Sequence, residues 1–334
     1  MAQVTFRGPR AALRGAMITA GLAALAAVPG IRAAHAAAPH LTISYSEKVG
    51  DELALWIAND AGYFKKQGLD VTIRYIPSRE GIPALLTKQV QIASIGGPDG
   101  ISAVAAGTKL KFFLTLSPVM TFQLWVRPEH ATKAGLKGQR FGVPSKTGSM
   151  YGATVLALEK LGMSPHEVAI TSLGSVPNVD SALIAGSIVA AASHPPATYE
   201  FEKHGDVKMV DLAKERIPSI NTGLLATDAY IKANPEICQK VANAVVEGLH
   251  REKTDRAFTE KVMMKYMHVK TKAVADFTYD FYAKRIAPSV PTPEAKQLEP
   301  AKKALSLSNP KVKNVNLADM IDQSFVKKAT QHMK

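Results

Sequence analysis

Apolar positions recur along the chain with two different periods, and segments of the two kinds alternate. Leu41, Ile43 and Tyr45 occupy every second position, which predicts a half-buried strand. The apolar residues between 53 and 64 recur at helical spacing, and Gly68 then ends the helix. A strand over 71–75, a helix over 82–90 and a strand over 92–95 follow. This order is typical of a mostly parallel sheet with helices on its faces.

The same order restarts further along the chain. The pattern predicts strands over 140–143, 168–172 and 188–193, separated by helices over 151–161 and 180–185. Segments 84–98 (ALLTKQVQIASIGGP) and 182–196 (ALIAGSIVAAASHPP) are also similar, since each leads from a helix into a small-residue strand. Either this similarity is chance, or the chain forms two lobes of like topology whose equivalent strand ends face each other across a cleft. Beyond 234 the pattern is mostly helical.

The first 38 residues have the pattern of a cleaved signal peptide. Arg7, Arg10 and Arg14 precede an apolar run over 16–28, and Ala34-His35-Ala36-Ala37-Ala38 supplies the small residues of a cleavage site. The apolar run is shorter than the ~20 residues that a spanning helix needs. We therefore predict export to the periplasm. The remaining length is one at which a single core divides into two, and the single cysteine excludes an intramolecular disulfide.

The formal net charge of +13 does not by itself identify a partner. A basic protein can bind nucleic acid, an anionic membrane surface or acidic solutes. No block of five or more Lys and Arg residues occurs, and an exported protein meets no nucleic acid, so we expect no nucleic-acid partner. Two interpretations remain: a mild positive field that concentrates anionic solutes, or a charge that serves solubility alone.

Several short motifs, in a fixed order, resemble one family of transport proteins. They are Gly62-Tyr63-Phe64 followed by Gly68-Leu69-Asp70-Val71, the turn Gly96-Gly97-Pro98, Lys137-Gly138-Gln139-Arg140-Phe141-Gly142-Val143, and Ala233-Asn234-Pro235-Glu236. In this order they are similar to the ABC transporter substrate-binding proteins of the sulfonate, taurine and thiamin-precursor family. The resemblance extends over 41–334. Two departures, Lys88-Gln89-Val90-Gln91 and His194-Pro195, mean that no single relative's ligand can be carried over.

The resemblance implies an α/β type II periplasmic binding fold, in which two lobes each contain a mostly parallel sheet flanked by helices. Lobe I would comprise 39–126 and 226–334, and lobe II would comprise 127–225, with two hinge crossings between them. The implied function is capture of a small organic anion, such as a sulfonate or carboxylate, by closure of the lobes. The implied partner is an ABC transporter permease in the inner membrane. A monomer without a cofactor is expected.

Ligand contacts in such a fold come from strand carboxyl ends and helix amino ends that face the cleft. Ser145-Lys146-Thr147-Gly148-Ser149 joins a strand to a helix, and its free N–H groups, hydroxyls and ammonium suit an anion, although a solvated N-cap loop fits the same residues. Gly96 and Gly97 would let the backbone approach a ligand closely. The predicted ligand-binding residues are Ser46, Lys48, Gly96, Gly97, Pro98, Ser117, Lys146, Thr147, Ser149, Tyr151, His194 and Tyr199.

The sequence offers little for catalysis or for metal binding. No G-x-S-x-G motif is present, the nine histidines show no metal-ligand spacing, and Cys238 lies within a predicted helix. We therefore predict a binding protein without catalytic residues or a metal site. Two alternatives stay open: an enzyme of the same fold that acts on a small molecule in the cleft, and a receptor that presents its ligand to a membrane sensor.

Overall fold

Two five-stranded sheets organise the chain. The computed structural model describes residues 2, 3, 5 and 38–331, so the predicted signal peptide over 1–38 lies almost entirely outside the described residues. The strands are β1 (His40–Tyr45), β2 (Asp70–Tyr75), β3 (Ile92–Ile95), β4 (Leu110–Val119), β5 (Gln123–Val126), β6 (Arg140–Val143), β7 (Ala169–Ser172), β8 (Ala190–Ser193), β9 (Val207–Asp211) and β10 (Pro218–Thr227). The first sheet has the order β2-β1-β3-β10-β4, and the second has the order β7-β6-β8-β5-β9.

The two sheets share one plan. In the first sheet β1 pairs in parallel with β2 and β3, and in the second β6 pairs in parallel with β7 and β8. The fourth strand of each sheet is antiparallel to its neighbours: β10 lies between β3 and β4, and β5 lies between β8 and β9. The strands β3 and β8, which end the two similar segments, therefore hold equivalent positions. The mostly parallel α/β fold that the sequence predicts is confirmed.

The chain changes sheets slightly earlier than the predicted boundaries. β5 belongs to the second sheet, although its residues were placed in lobe I. β10 belongs to the first sheet, although most of its residues were placed in lobe II. The crossings thus precede these two strands, and the boundaries at 126 and 225 each lie within or at the end of a strand. The predicted boundaries came from the family resemblance, which implies two crossings but does not fix the residue at which this chain changes sheets.

Helices pack on both sheets and make up most of the C-terminal third. They are α1 (Leu53–Asp60), α2 (Tyr63–Lys66), α3 (Ser78–Leu86), α4 (Gly97–Ala105), α5 (Lys133–Leu136), α6 (Ser149–Lys160), α7 (Val176–Ile184), α8 (Ala197–His204), α9 (Asp228–Ala233), α10 (Pro235–Thr254), α11 (Arg256–Tyr266), α12 (Lys272–Phe281), α13 (Glu299–Ser306) and α14 (Ser324–Thr330). A capping box begins a short 3₁₀ turn, where the Ser164 N–H donates to Glu167 at 2.7 Å. Among the described residues, no helix combines the length and the apolar character that a membrane crossing requires.

Two apolar clusters hold these layers together. One cluster, which includes the fully buried Trp56, packs α1 and α10 against the first sheet. Gly248 of α10 lies against the Ala54 carbonyl oxygen of α1, and only a residue without a Cβ allows this close approach. The other cluster continues from Ile95 in the first sheet to Phe141 in the second. Both sheets therefore belong to one compact unit, which begins at residue 38.

Candidate functional site

The loops that follow the parallel strands of the two sheets meet each other. The Ser149 hydroxyl, at the start of α6, donates to the carbonyl oxygen of Asn221 in β10 at 3.1 Å. The Thr147 hydroxyl, in the loop after β6, donates to Asp99 at the start of α4 at 3.3 Å. The Tyr282 hydroxyl donates to the Pro195 carbonyl oxygen, just after β8, at 3.0 Å. We call this junction the interface site, because residues from the first-sheet side and the second-sheet side contact each other there.

A short 3₁₀ turn after β1, Gly50–Glu52, brings two carboxylates into the interface site. Asp51 accepts hydrogen bonds from the Ser117 hydroxyl at 2.5 Å and from the Asn221 amide at 2.7 Å. Glu52 accepts from the Ser46 N–H at 3.1 Å and also from the Ser94 hydroxyl. Burial raises the pKa of both carboxyls, that of Glu52 strongly, although these hydrogen bonds act in the opposite direction. The network fixes the turn against the ends of β3, β4 and β10.

Two further carboxyls reach the interface site from opposite sides. Asp99 lies at the start of α4 on the first-sheet side, and Asp180 lies in α7 on the second-sheet side. Burial raises the pKa of each carboxyl to about 7, with the charge of Glu47 adding to the effect. Asp180 accepts from the Ser193 hydroxyl at 2.8 Å, whereas Oδ2 of Asp99 has no hydrogen-bond partner among the described residues. Near neutral pH these groups are thus poised to pair with hydrogen-bond donors or with positive charge.

His194, at the end of β8, is the basic group among these acids. Its side chain is fully buried, and neither ring nitrogen has a hydrogen-bond partner within the described residues. Nε2 lies 3.6 Å from the Glu47 carboxylate of the opposite side, and the ring packs 4.7 Å from the Phe122 ring. Burial alone would lower the pKa of His194, but the carboxylates of Glu47, Asp51 and Asp180 more than compensate and raise it.

A cavity of about 620 Å³ opens beside His194 and is lined from both sides. The lining is largely apolar, with Val176 and Pro196 from the second-sheet side and Met267 from the first. Its polar groups include Lys48, Asp180 and His194. Mostly apolar walls with a few convergent polar groups are typical of a pocket for a small molecule. The cavity and the interface site therefore have Asp180 and His194 in common.

Most of the predicted ligand-binding residues lie at this junction, but they do not all face the cavity. Lys48 and His194 line it. Ser46, Ser117, Thr147 and Ser149 bond to neighbouring interface residues as given above. Gly96, Gly97 and Pro98 lie where α4 begins, and a Cβ on Gly96 would collide with the Ser149 hydroxyl. Whether each of them contacts a ligand stays a prediction.

Three predicted residues make none of the contacts that define the interface site. Lys146 is exposed in the loop before α6. Tyr151 is buried in the apolar cluster that spans the two sheets. Tyr199 packs edge-to-face on Phe277, with ring centroids 5.4 Å apart, and it takes no part in lining the cavity. The sequence pattern placed these side chains near the correct strand ends without giving their direction.

The predicted set did not include the acids that dominate the interface site. Asp51 and Glu52 precede α1, where acidic residues ordinarily stabilise a helix amino end. Asp180 is a single acid among the apolar residues of α7, and this is the one local signal that could have identified it. Asn221 is also absent from the predicted set, and no local pattern indicates that its amide holds Asp51.

The architecture is that of a periplasmic binding protein. The structure superimposes on the alkanesulfonate-binding protein SsuA from Xanthomonas axonopodis pv. citri bound to MOPS with a TM-score of 0.72 and 20% identity, covering 86% of this chain and 100% of that one. The nitrate-binding protein NrtA from Synechocystis PCC 6803 superimposes with a TM-score of 0.74 and 12% identity, covering 89% of each chain. At these identities the likeness establishes the fold.

The chain belongs to the NMT1/THI5-like family, whose family model matches residues 51–253. A curated relative, the riboflavin-binding protein RibY from Chloroflexus aurantiacus, is 24% identical over 202 residues. That match covers 58% of this chain and 56% of RibY, so it spans little more than half the length of the relative. The family resemblance inferred from the sequence motifs is thereby confirmed.

Proposed function

We propose that this protein is the periplasmic solute-binding component of an ABC importer and that it captures a small molecule in the cavity beside His194. The fold and the family support this role, because SsuA, NrtA and RibY are each named as binding proteins. Closure of the first-sheet side on the second-sheet side would enclose the ligand, and a permease would recognise the closed form. The ligand leaves the protein chemically unchanged.

The charges of the buried side chains near the cavity are the observation from which we infer the class of ligand. The cavity wall itself carries Asp180 and Glu200 together with Lys48 and Lys270. In the adjoining interface site Asp51, Glu52 and Asp99 are buried, whereas no lysine or arginine among the described residues is. Lys146, one of the groups on which the anion prediction rested, is exposed, and the Lys48 ammonium lies 5.0 Å over the Tyr75 ring. A buried carboxyl is stabilised by a donor or a cation and destabilised by an anion. We therefore propose a ligand with a basic or donor-rich nitrogen group attached to an apolar body.

A pair of matched screens tests this proposal. The purified protein is titrated calorimetrically, in the presence of EDTA, with amines, amidines and aminopyrimidines and, separately, with alkyl and aryl sulfonates and carboxylates. Candidates come from a thermal-shift screen, where a ligand at 100 times its dissociation constant adds about 2.7 kcal/mol of stability. Recovery of the ligand unchanged after incubation is expected of a binding protein, and its consumption would favour the enzymatic alternative.

Two variants separate the cationic ligand from the anionic one. Asp180→Asn removes an acidic group from the cavity wall and should weaken a basic ligand at least about tenfold, or ~1.4 kcal/mol. Lys146→Ala, matched as a single charge removal, should leave its affinity unchanged. The opposite pattern would refute a basic ligand. If Lys146→Ala with Ser149→Ala weakens binding tenfold and Asp180→Asn does not, the ligand is the organic anion predicted from the sequence.

A further inference from the structure

We propose that Glu47, Asp51 and His194 form a binding site for a divalent metal ion of the zinc type, held between the first-sheet side and the second-sheet side. The proposal does not depend on the organic ligand of the preceding section. Each of the three residues offers one ligand atom, and these atoms all lie within 4.8 Å of one another. Atoms that each lie ~2 Å from a common zinc ion have separations of this order after a small adjustment of side chains.

The state of His194 is the independent observation that indicates a ligand. The His194 imidazole has a fully buried side chain, and among the described residues neither ring nitrogen has a hydrogen-bond partner, although buried polar groups ordinarily have one. Its Nε2 lies 3.6 Å from a Glu47 carboxylate oxygen, beyond a good hydrogen bond but within the separation of two atoms that bind one zinc ion at ~2 Å each. A metal ion would satisfy this nitrogen and both carboxylates together.

The groups around Asp51 resemble the outer shell of a metal site. Ser117 and Asn221 donate to its carboxylate, and Thr121 donates to it at 3.3 Å. Outer-shell donors of this kind hold a ligating carboxylate in one orientation, and they leave lone pairs free on its oxygens. The carboxylate is thus pre-organised toward His194 before any ion arrives.

The donor set selects a class of ion. One imidazole and two carboxylates suit zinc and its neighbours among the first-row metals, whereas calcium and magnesium prefer oxygen ligands alone. Three protein ligands leave at least one coordination position open toward the cavity, as in zinc sites that accept a further ligand. Because Glu47 and Asp51 follow β1 while His194 follows β8, the ion would also tie the two sides together.

The experiment uses Co²⁺ as a spectroscopic probe and Zn²⁺ as its competitor. Untagged protein is stripped with EDTA, dialysed and titrated with Co²⁺ while the visible absorption of the bound ion is followed. His194→Gln and Glu47→Gln remove one ligand each at nearly constant volume. His166→Ala removes an exposed imidazole on the second-sheet side and serves as the matched control. Unfolding midpoints confirm that each variant is folded.

The expected result is one saturable Co²⁺ site per chain, displaced by Zn²⁺. Its affinity should fall at least about a hundredfold in His194→Gln and in Glu47→Gln, since loss of an outer-shell partner alone costs up to about that much. His166→Ala should bind as the wild type does. Absence of a saturable site in the wild type, or equal affinity in all four proteins, would overturn the proposal. Because the organic-ligand screens contain EDTA, they can succeed or fail independently of this result.

Discussion

Glu252 provides a test of how far a buried acid lowers the free energy of unfolding of this protein. It lies on α10, is 3% exposed, and has a pKa raised to about 8, first by burial and then by the charge of Asp51. The unfolded chain releases this proton near pH 4.5. Between these two values the folded protein holds a proton that the unfolded chain has lost, so the free energy of unfolding falls as the pH rises.

The magnitude follows from the two pKa values. From pH 5 to pH 9 the wild type should lose about 4 kcal/mol of unfolding free energy through Glu252 alone, at 1.36 kcal/mol for each pH unit of difference. Glu252→Gln places a neutral side chain of the same shape at this position and removes the loss. The variant should therefore match the wild type near pH 5 and exceed its stability by roughly 4 kcal/mol at pH 9.

Urea unfolding at pH 5, 7 and 9 measures this difference directly. Other buried carboxyls, Asp99 and Asp180 among them, lower the stability of both proteins alike, so the comparison between the two proteins isolates Glu252. Glu247→Gln, on the same helix but at its surface, is the matched control and should follow the wild type at every pH. Equal pH dependence in Glu252→Gln and the wild type would refute the reasoning.

Three further predictions concern close contacts and a helix start. Gly96→Ala should weaken binding of the cavity ligand about tenfold by calorimetry, because the added Cβ collides with the Ser149 hydroxyl. Ser149→Ala in the same chain should restore the affinity, and a failure to recover would show that this collision is not the cause. Gly248→Ala should lower the unfolding free energy by about 2–3 kcal/mol, since its Cβ meets the Ala54 carbonyl oxygen, and unchanged urea unfolding would disprove this packing. Ser164→Ala should cost about 1 kcal/mol of stability and leave ligand affinity intact, and a loss of affinity would show that the capping box does more than begin a turn.

The sequence predicted most of the fold because periodicity is a local property. The strands β1, β3 and β8 and the helix α10 all lie where the apolar pattern placed them. The similarity of 84–98 and 182–196 also proved to be structural, since β3 and β8 occupy equivalent positions in the two sheets. The resemblance implied two crossings between the lobes, but the sheets that β5 and β10 join were not predicted, because pairing across a sheet depends on residues far apart in the chain.

The site was predicted less completely, for the same physical reason. Strand ends and glycine turns identified its position, so Ser46, Gly96 and His194 fall within it. Its charge is set by acids that look ordinary in sequence: Asp51 resembles a helix cap, and Asp180 is one acid in a helix. Their raised pKa values come from burial, which only the packed structure determines. The anionic ligand was predicted from the loop N–H groups, hydroxyls and Lys146 and from the family resemblance, without knowledge of these buried acids, and it stays a prediction.

The buried acids and His194 also suggest how ligand binding could drive closure of the two sides. Asp99 and Glu47 come from the first-sheet side, and Asp180 and His194 come from the second-sheet side. Bringing the two sides together removes water from groups such as Oδ2 of Asp99 and the His194 ring, which gain no hydrogen-bond partner within the described residues in return. In the proposed opening and closing, this desolvation disfavours the closed form by itself. A ligand that supplies the missing partners binds the closed form better, and such differential affinity is what shifts a population.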